Sequence, residues 1–338
     1  MKIVIDDKIP FIRGLFEPYV EVAYRPGGAI DAETVREADA LVVRTRTRCD
    51  AALLDGSRVR IVATATIGYD HIDRAYCAAR GIRVATAAGC NARGVLQWVF
   101  AALGVLRVDP SRTALGIVGV GNVGTAVREA ATAVGFREVI CCDPPRAARG
   151  EPETERFVTL SELLRRSDVV TTHVLLDDST RGMMGEEAFG AMRPGAIFLN
   201  SSRGEVVDEG ALKAALRSGR VARAAIDVWG GEPRIDRELL SLTTVATPHV
   251  AGYSLQGKAM GTALAVRAVA DELGLPIGAA WYPEGAPVQH PRAEITWAEV
   301  VERMPAYYDI TADDAALRAA PERFEELRGD YRFREEFF

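Results

Sequence analysis

The sequence predicts an α/β protein: two doubly wound parallel sheets in succession, followed by a small C-terminal module. Three observations carry this. Short, β-branched apolar stretches alternate with helix-like segments over the first 250 or so residues of a 338-residue chain. These stretches are apolar throughout, as strands are when helices cover both faces of their sheet. The alternation also breaks at Asp109-Pro110 and then restarts, and the length is too great for one ordinary core.

In chain order, KIVID (2–6), ALVVRT (40–45), RIVATAT (60–66) and RVATAA (83–88) are the first strands. Between the last two, DHIDRAYCAARG opens on acidic residues and closes on Gly81, the polarity expected of a helix. NARGVLQWVFAALGVLRV (91–108) is a long helix so apolar that it should pack between units rather than face water. Then come LGIVGV, EVICCD, SDVVTTHV, AIFLNSS, ARAAIDV and TTVATPH, with SELLRRS and DEGALKAALRSG among the helices that separate them. The helix LQGKAMGTALAVRAVADELG (255–274) can lead the chain back to the first unit. Beyond it cluster Pro276, Pro283, Pro287 and Pro291, and a charged, aromatic tail runs to Phe338. That tail is too short for a large core of its own. Its Tyr and Phe content favours a module that covers a neighbouring surface over a loose appendage. The expected division is 1–92 with 253–284, then 93–252, then 285–338.

Composition narrows the function classes. Apolar residues make up 48% and charged residues 26%, the balance of a soluble globular protein. No stretch approaches the about 20 uninterrupted apolar residues of a membrane span, and MKIVIDDKIP meets acids too early for a secretory signal. A net charge of −6 argues against general nucleic-acid binding. Cys49, Cys77, Cys90, Cys141 and Cys142 show no CxxC spacing and read as reduced thiols, so a cytoplasmic protein is expected. No His/Asp/Glu cluster has metal-ligand spacing, so no metal is expected.

GIVGVGNVG places Gly119, Gly121 and Gly124 in a GxGxxG turn between the strand LGIV and a helical run. In a dinucleotide site the first glycine makes the turn and the second admits the pyrophosphate. The third lets helix and strand close up, and the helix N-terminus, beginning at Asn122 and Val123, faces the phosphates. Asp143 ends the next strand, 19 positions after Gly124. Such an acid accepts from the adenosine ribose hydroxyls and repels a 2′-phosphate, which favours NAD over NADP in a Rossmann-type unit. Arg146 leaves the other choice open, since a guanidinium there could hold that phosphate.

Three further residues follow strands of the same unit, where open α/β sheets place their ligand crevice: Arg203 in NSSRGEVVDEGAL, Glu232 in AIDVWGGEP and His249 in TPHVAGY. Singly, each has an ordinary explanation as a surface charge, a loop carboxylate or a packed histidine. Jointly they meet the needs of one reaction, oxidation of a secondary alcohol beside a carboxylate. A neutral imidazole takes the hydroxyl proton, and a glutamate on its other nitrogen fixes the tautomer. An arginine fork holds the carboxylate and polarises the developing carbonyl.

The order GxGxxG, acid, NSSRGEVVDE, DVWGGEP, PHVAGY resembles the D-2-hydroxyacid dehydrogenase family over residues 1 to about 275. The resemblance implies two Rossmann/flavodoxin-like domains, a substrate-binding lid domain and an NAD-binding domain. It implies catalysis by Arg203, Glu232 and His249, with Thr172, Ser202, Asp227 and Gly252 lining the NAD site. A narrower resemblance, to the branch acting on a phosphorylated four-carbon sugar acid, rests on MKIVIDDKIPF, VVRTRT, TATIGYDHID, AAGCNA, CDPPRA, HVAGYSLQGKA and the tail pattern YDI..DDAALR…F..LR..Y..R.E. It implies substrate contacts from Thr45, Thr66 and Tyr253 and a C-terminal dimerisation module, hence a homodimer. Such a substrate calls for cations and hydroxyls. VVRTRTR offers Arg44, Arg46 and Arg48 with Thr45 and Thr47, and strand alternation would put arginines on one side and threonines on the other. Tyr253 would reach substrate from the hinge between units, and His249 would stand where they meet.

Two departures from the family pattern stand out. The chain reads His173-Val174-Leu175-Leu176 where the family often has His-x-Pro-Leu, and the tail ends early at FREEFF. His173 reads as structural and His71 as a packing or capping residue. The rival readings are a related dehydrogenase acting on glycerate, 3-phosphoglycerate or lactate, and a non-catalytic NAD(H)-sensing corepressor.

Overall fold

A computed structural model describes residues 1–151, 153–289 and 295–338. Pro291, the last of the clustered prolines, lies outside the described residues, as does His290. The chain forms two compact units: residues 1–91 with 254–289, and residues 92–253 with the tail.

In the first unit, β1 (Lys2–Asp6), β2 (Glu21–Arg25), β3 (Ala40–Val43), β4 (Ile61–Thr64) and β5 (Arg83–Thr86) make a parallel sheet in the order β2-β1-β3-β4-β5. This is the flavodoxin-like order, with a topological switch between β1 and β3. Central strands β1, β3 and β4 are almost wholly buried, as their unbroken apolar runs require. The edge strand β2 was not expected: EVAYR is half exposed and charged at both ends, so it lacks the apolar run that marks a central strand. The helix Leu255–Leu273 returns to this unit and sets Val266 and Val269 in a core with Ile3, Ile5, Val42 and Ile61. Gly261 permits that approach, since a Cβ there would stand 2.8 Å from the Ala65 carbonyl oxygen.

The expected alternation along VVRTRTR does not occur. β3 ends at Val43, and residues beyond it turn, with Thr47 N–H donating to the Arg44 carbonyl (3.2 Å). Thr47 is buried with its hydroxyl on the Gly27 carbonyl, while Arg48 pairs with Asp50 at the surface. The threonines therefore do not share a face. Thr and Arg after a β-branched stretch look like a continuing strand, but the chain leaves the sheet after Val43, its last residue paired with β4.

The second unit holds β6 (Ala114–Val118), β7 (Glu138–Cys142), β8 (Val169–Thr172), β9 (Ala196–Asn200), β10 (Val221–Ile226) and β11 (Val245–Ala246), all parallel, in the order β7-β6-β8-β9-β10-β11. Its switch lies between β6 and β8, next to the glycine turn. Helix Ala92–Val105 is buried over most of its length. Within this unit it packs against the helix Asn122–Ala133, and the tail, with helices Trp297–Arg303, Ile310–Ala319 and Phe324–Gly329, adds further cover. Phe100 meets the Phe338 ring edge-on at 5.1 Å and Trp297 at 6.1 Å. Arg318 donates to the carbonyls of Leu240 (2.6 Å) and Thr243 (2.9 Å), and Asp314 accepts from Ala246 N–H (2.7 Å). The tail thus covers its own second unit. All five cysteines are buried free thiols. No described helix is long and apolar enough to cross a membrane.

Candidate active site

The glycine turn follows β6 and opens the helix Asn122–Ala133, which no side chain caps. Its first N–H groups are therefore available to an anion. Gly119 has φ +85°, and a Cβ on it would meet the His173 carbonyl at 2.7 Å. Gly124 has no room either: its Cβ would lie 2.0 Å from the Gly119 oxygen. Above Gly121, by contrast, the space is open within 4 Å. The turn therefore fits a pyrophosphate laid across Gly121, with Asn122 and Val123 at the helix mouth. Asp143 accepts from Val120 N–H (2.8 Å) and Arg146 N–H (3.0 Å), which fixes its carboxylate beside the turn. Arg146 is drawn away from any 2′-phosphate: its Nε donates to Glu151 (2.6 Å) and its Nη1 to the Val120 carbonyl (2.5 Å). That arrangement suits NAD. Gly124→Ala should weaken NADH binding by about tenfold or more, since overpacking by backbone costs about 1–3 kcal/mol. An unchanged Kd by NADH fluorescence in the folded variant would contradict this.

Past β8 and β9 a buried polar network orders the next loop. Asn200 Oδ1 accepts from Thr172 Oγ1 (2.9 Å), Ser202 N–H (3.0 Å) and Ser202 Oγ (2.7 Å), while Asn200 Nδ2 donates to the Arg203 carbonyl (3.0 Å). Thr172, Asn200 and Ser202 are all buried. Asn200 was not singled out in the sequence; its one signal was its place at the C-terminal end of a buried strand. The half-buried Arg203 donates from Nη1 to the Ser202 carbonyl (2.7 Å). Gly204 lets this loop meet the next one, since a Cβ there would fall 2.0 Å from the Trp229 carbonyl carbon.

Beyond Trp229, Glu232 accepts from Trp229 N–H through Oε1 (2.9 Å) and meets His249 Nδ1 through Oε2 (2.8 Å). Burial alone would raise this carboxyl. His249, the Trp229 N–H and Arg328 outweigh it and hold Glu232 below its ordinary range. An ionised Glu232 makes Nδ1 the protonated nitrogen, which leaves Nε2 of a neutral His249 as the acceptor. His249 has φ 57°, a left-handed conformation that few non-glycine residues adopt.

Asp227 imposes that turn. Its carboxylate accepts from Thr247 Oγ1 (2.6 Å), Val250 N–H (2.8 Å) and Ala251 N–H (3.0 Å), and His249 N–H donates to its backbone oxygen (2.8 Å). Burial pushes the Asp227 carboxyl up, against His249 and these donors. Gly252 lies half-buried just beyond the turn. Tyr253 then takes Arg328 Nε on its hydroxyl (3.2 Å) and packs edge-on against Tyr331 and Phe333. Arg328 and Arg334, both from the tail, reach this segment; the sequence offered only their place in a charged, aromatic run. His173 is of another kind: burial pushes it down to about 3, its Nε2 lies 3.0 Å from Thr171 Oγ1, and it stays neutral.

The remaining predicted contacts, Arg44, Thr45 and Thr66, belong to the first unit. Arg44 follows β3 at the switch and forks onto the buried Asp6 (3.1 and 3.2 Å). Thr45 is exposed beside it. Thr66 shares a hydrogen bond with Thr64 (2.7 Å) and donates to the Gly68 carbonyl (3.1 Å).

The chain is similar to known proteins over most of its length. Residues 96–251 match the NAD binding domain of the D-isomer specific 2-hydroxyacid dehydrogenases. The chain is 41% identical to an erythronate-4-phosphate dehydrogenase of Bacteroides fragilis, over 99% of its own length and 97% of that protein's. It is 42% identical to the one of Azotobacter vinelandii, over 97% and 89%. In fold it matches D-mandelate dehydrogenase of Rhodotorula graminis with a TM-score of 0.71 at 20% identity, covering 86% of this chain and 99% of that one. A nearly full-length likeness to such enzymes, on an NAD-fitted glycine turn, makes this chain an NAD-dependent member of the D-isomer specific 2-hydroxyacid dehydrogenase family.

Proposed function

We propose that the chain oxidises 4-phospho-D-erythronate at C2 to (3R)-3-hydroxy-2-oxo-4-phosphooxybutanoate, as a step in pyridoxal 5′-phosphate biosynthesis. The observation that carries the chemistry is the 2.8 Å contact of His249 Nδ1 with Glu232 beyond the strand ends of the NAD unit. The observation that carries the substrate is similarity to erythronate-4-phosphate dehydrogenases through the tail as well as the domains.

Bound NAD supplies the hydride acceptor. His249 Nε2 takes the C2 hydroxyl proton, and Glu232 holds the imidazole's tautomer and balances the imidazolium that results. Arg203 offers its fork to the substrate carboxylate and to the oxygen that becomes the carbonyl. Thr172, Ser202, Asp227 and Gly252 frame the cofactor side of this loop set. For the substrate the reading uses Arg44, Thr45, Thr66 and Tyr253. Arg44 serves as half of an ion pair with Asp6, so the hydroxyls carry more of the recognition than a free arginine row would. We also take the protein to be a cytoplasmic homodimer that associates through the tail, where Val301 and Tyr307 are exposed.

The test is NADH formation from 4-phospho-D-erythronate beside 3-phosphoglycerate, D-glycerate and D-lactate, with a 2-oxo acid acceptor in a parallel reaction to release held NADH. Preference for the four-carbon phosphate by about a hundredfold or more in kcat/KM is expected, since a phosphate unmatched or missing leaves charged groups unpaired. Preference for an unphosphorylated acid would remove the phosphate reading and leave the proton-transfer reading intact.

A further inference from the structure

We propose that Arg328 of the C-terminal segment is a positioning residue for the Glu232–His249 pair, so that the tail completes the catalytic centre of its own chain. The inference rests on the reading of that pair as the proton-transfer machinery, and goes beyond it by adding a charge from outside the dehydrogenase core.

The tail reaches the pair by a built route. Arg334, buried to 7% exposure, donates Nη1 to the Val250 carbonyl (2.9 Å) and Nη2 to the carbonyls of Gly94 (3.1 Å) and Ala251. Its guanidinium lies 3.9 Å from the centre of the Tyr308 ring. It also donates to Tyr331 Oη (3.2 Å), and Tyr331 and Tyr308 both donate to Asp313 (2.9 and 3.0 Å). This clamp sits on the two residues that follow His249. With the segment fixed there, the helix Phe324–Gly329 carries Arg328 to Tyr253 Oη (3.2 Å) and to Glu232 Oε2 (3.9 Å).

That placement matters because Glu232 Oε2 is also the oxygen that meets His249 Nδ1. Arg328 and Glu232 side chains are only 16% and 17% exposed, so water screens the attraction little. The cation biases the carboxylate toward its ionised form and fixes the oxygen on which the imidazole depends. Among the described residues, the charged groups set against the pair include Asp227, buried under the turn, and Arg328. The anion lies below His249 and the cation beyond Glu232, so removing Arg328 leaves a net anionic setting that favours a protonated imidazole.

The experiment follows the His249 imidazole by NMR titration, without substrate or cofactor, in wild type, Arg328→Gln and Arg328→Lys, with His249→Asn to assign the signal. Turnover is measured alongside. The His249 midpoint should move up by about half a pH unit or more in Arg328→Gln. Its kcat should fall about tenfold or more, with the acid limb of the rate profile moved to higher pH. Arg328→Lys should restore the midpoint and part of kcat. An unchanged midpoint or an unchanged kcat in folded Arg328→Gln overturns the proposal. If Arg328→Gln melts below the assay temperature, Arg328→Lys decides: wild-type kcat overturns it, and a lowered kcat at a wild-type midpoint supports it. Failure of the catalytic reading itself is distinguishable, because His249→Asn would then keep its turnover.

Discussion

His249→Asn is expected to lower kcat by about 10²- to 10⁴-fold, the usual cost of losing a positioned general base, with NADH affinity unchanged. Asparagine is the informative replacement because position 249 sits at φ 57°, a region that Asn tolerates and most other side chains resist. Alanine there would mix backbone strain with loss of the imidazole. The companion variant Glu232→Gln keeps an acceptor for Trp229 N–H but loses the charge opposite His249. Its amide can also present N–H to Nδ1, favouring the tautomer with the proton on Nε2, where the acceptor should be. A large kcat loss with little change in KM is expected there too. Stopped assays of both variants against wild type check this. More than a tenth of wild-type turnover in His249→Asn would remove the imidazole from proton transfer. An NAD(H)-sensing corepressor would show no substrate turnover even in wild type and would keep partner binding in the variant, so the same protein separates the rival class.

Much of this was legible in the chain because the information was local. β1, β3, β4 and the strands of the second unit announce themselves as short apolar runs, since strands covered on both faces bury every residue. The glycine turn was legible for a related reason: Gly119 needs a positive φ and Gly124 needs the missing Cβ, and both demands fall within six residues. What escaped was pairing across long separations. Asp6 and Arg44 are 38 positions apart and meet only because β1 and β3 adjoin at the switch. Read locally, Arg44 is one of three arginines offered to a phosphorylated substrate; in the fold it is one side of an ion pair with a buried acid. Asp227 was placed at the cofactor by resemblance, yet its carboxylate oxygens are engaged by the turn that carries His249. Arg334 reaches back 83 and 84 positions to Ala251 and Val250, and no periodicity in the tail marks it out from Arg332 beside it.

Arg334→Met carries the second large effect, and it falls on stability. Methionine fills much of the same volume but takes the charged donor away from the carbonyls of Val250, Gly94 and Ala251; Val250 keeps Tyr253 N–H (2.9 Å), and Gly94 keeps its place in a helix. Each hydrogen bond from a charged donor lost at a buried acceptor costs about 1–3 kcal/mol, and the stacked cation on Tyr308 is worth up to about 2 kcal/mol more. Partial relaxation and water entry reduce the sum, so a net loss of about 3–5 kcal/mol is expected, the range seen when one side of a buried charged contact is deleted. For a unit of this size that is a fall in Tm on the order of 10 °C. Calorimetry should show it in the transition of the second unit rather than the first, because every partner of Arg334 lies in the second. Arg334→Lys should recover only part of the loss, since one ammonium cannot span carbonyls that a planar fork reaches together. A melt within about 2 °C of wild type for Arg334→Met would mean that the aromatic packing of Phe324, Phe337 and Phe338 alone holds the tail down. In that case the Val250–Ala251 turn owes its geometry to Asp227 beneath it and not to the clamp above.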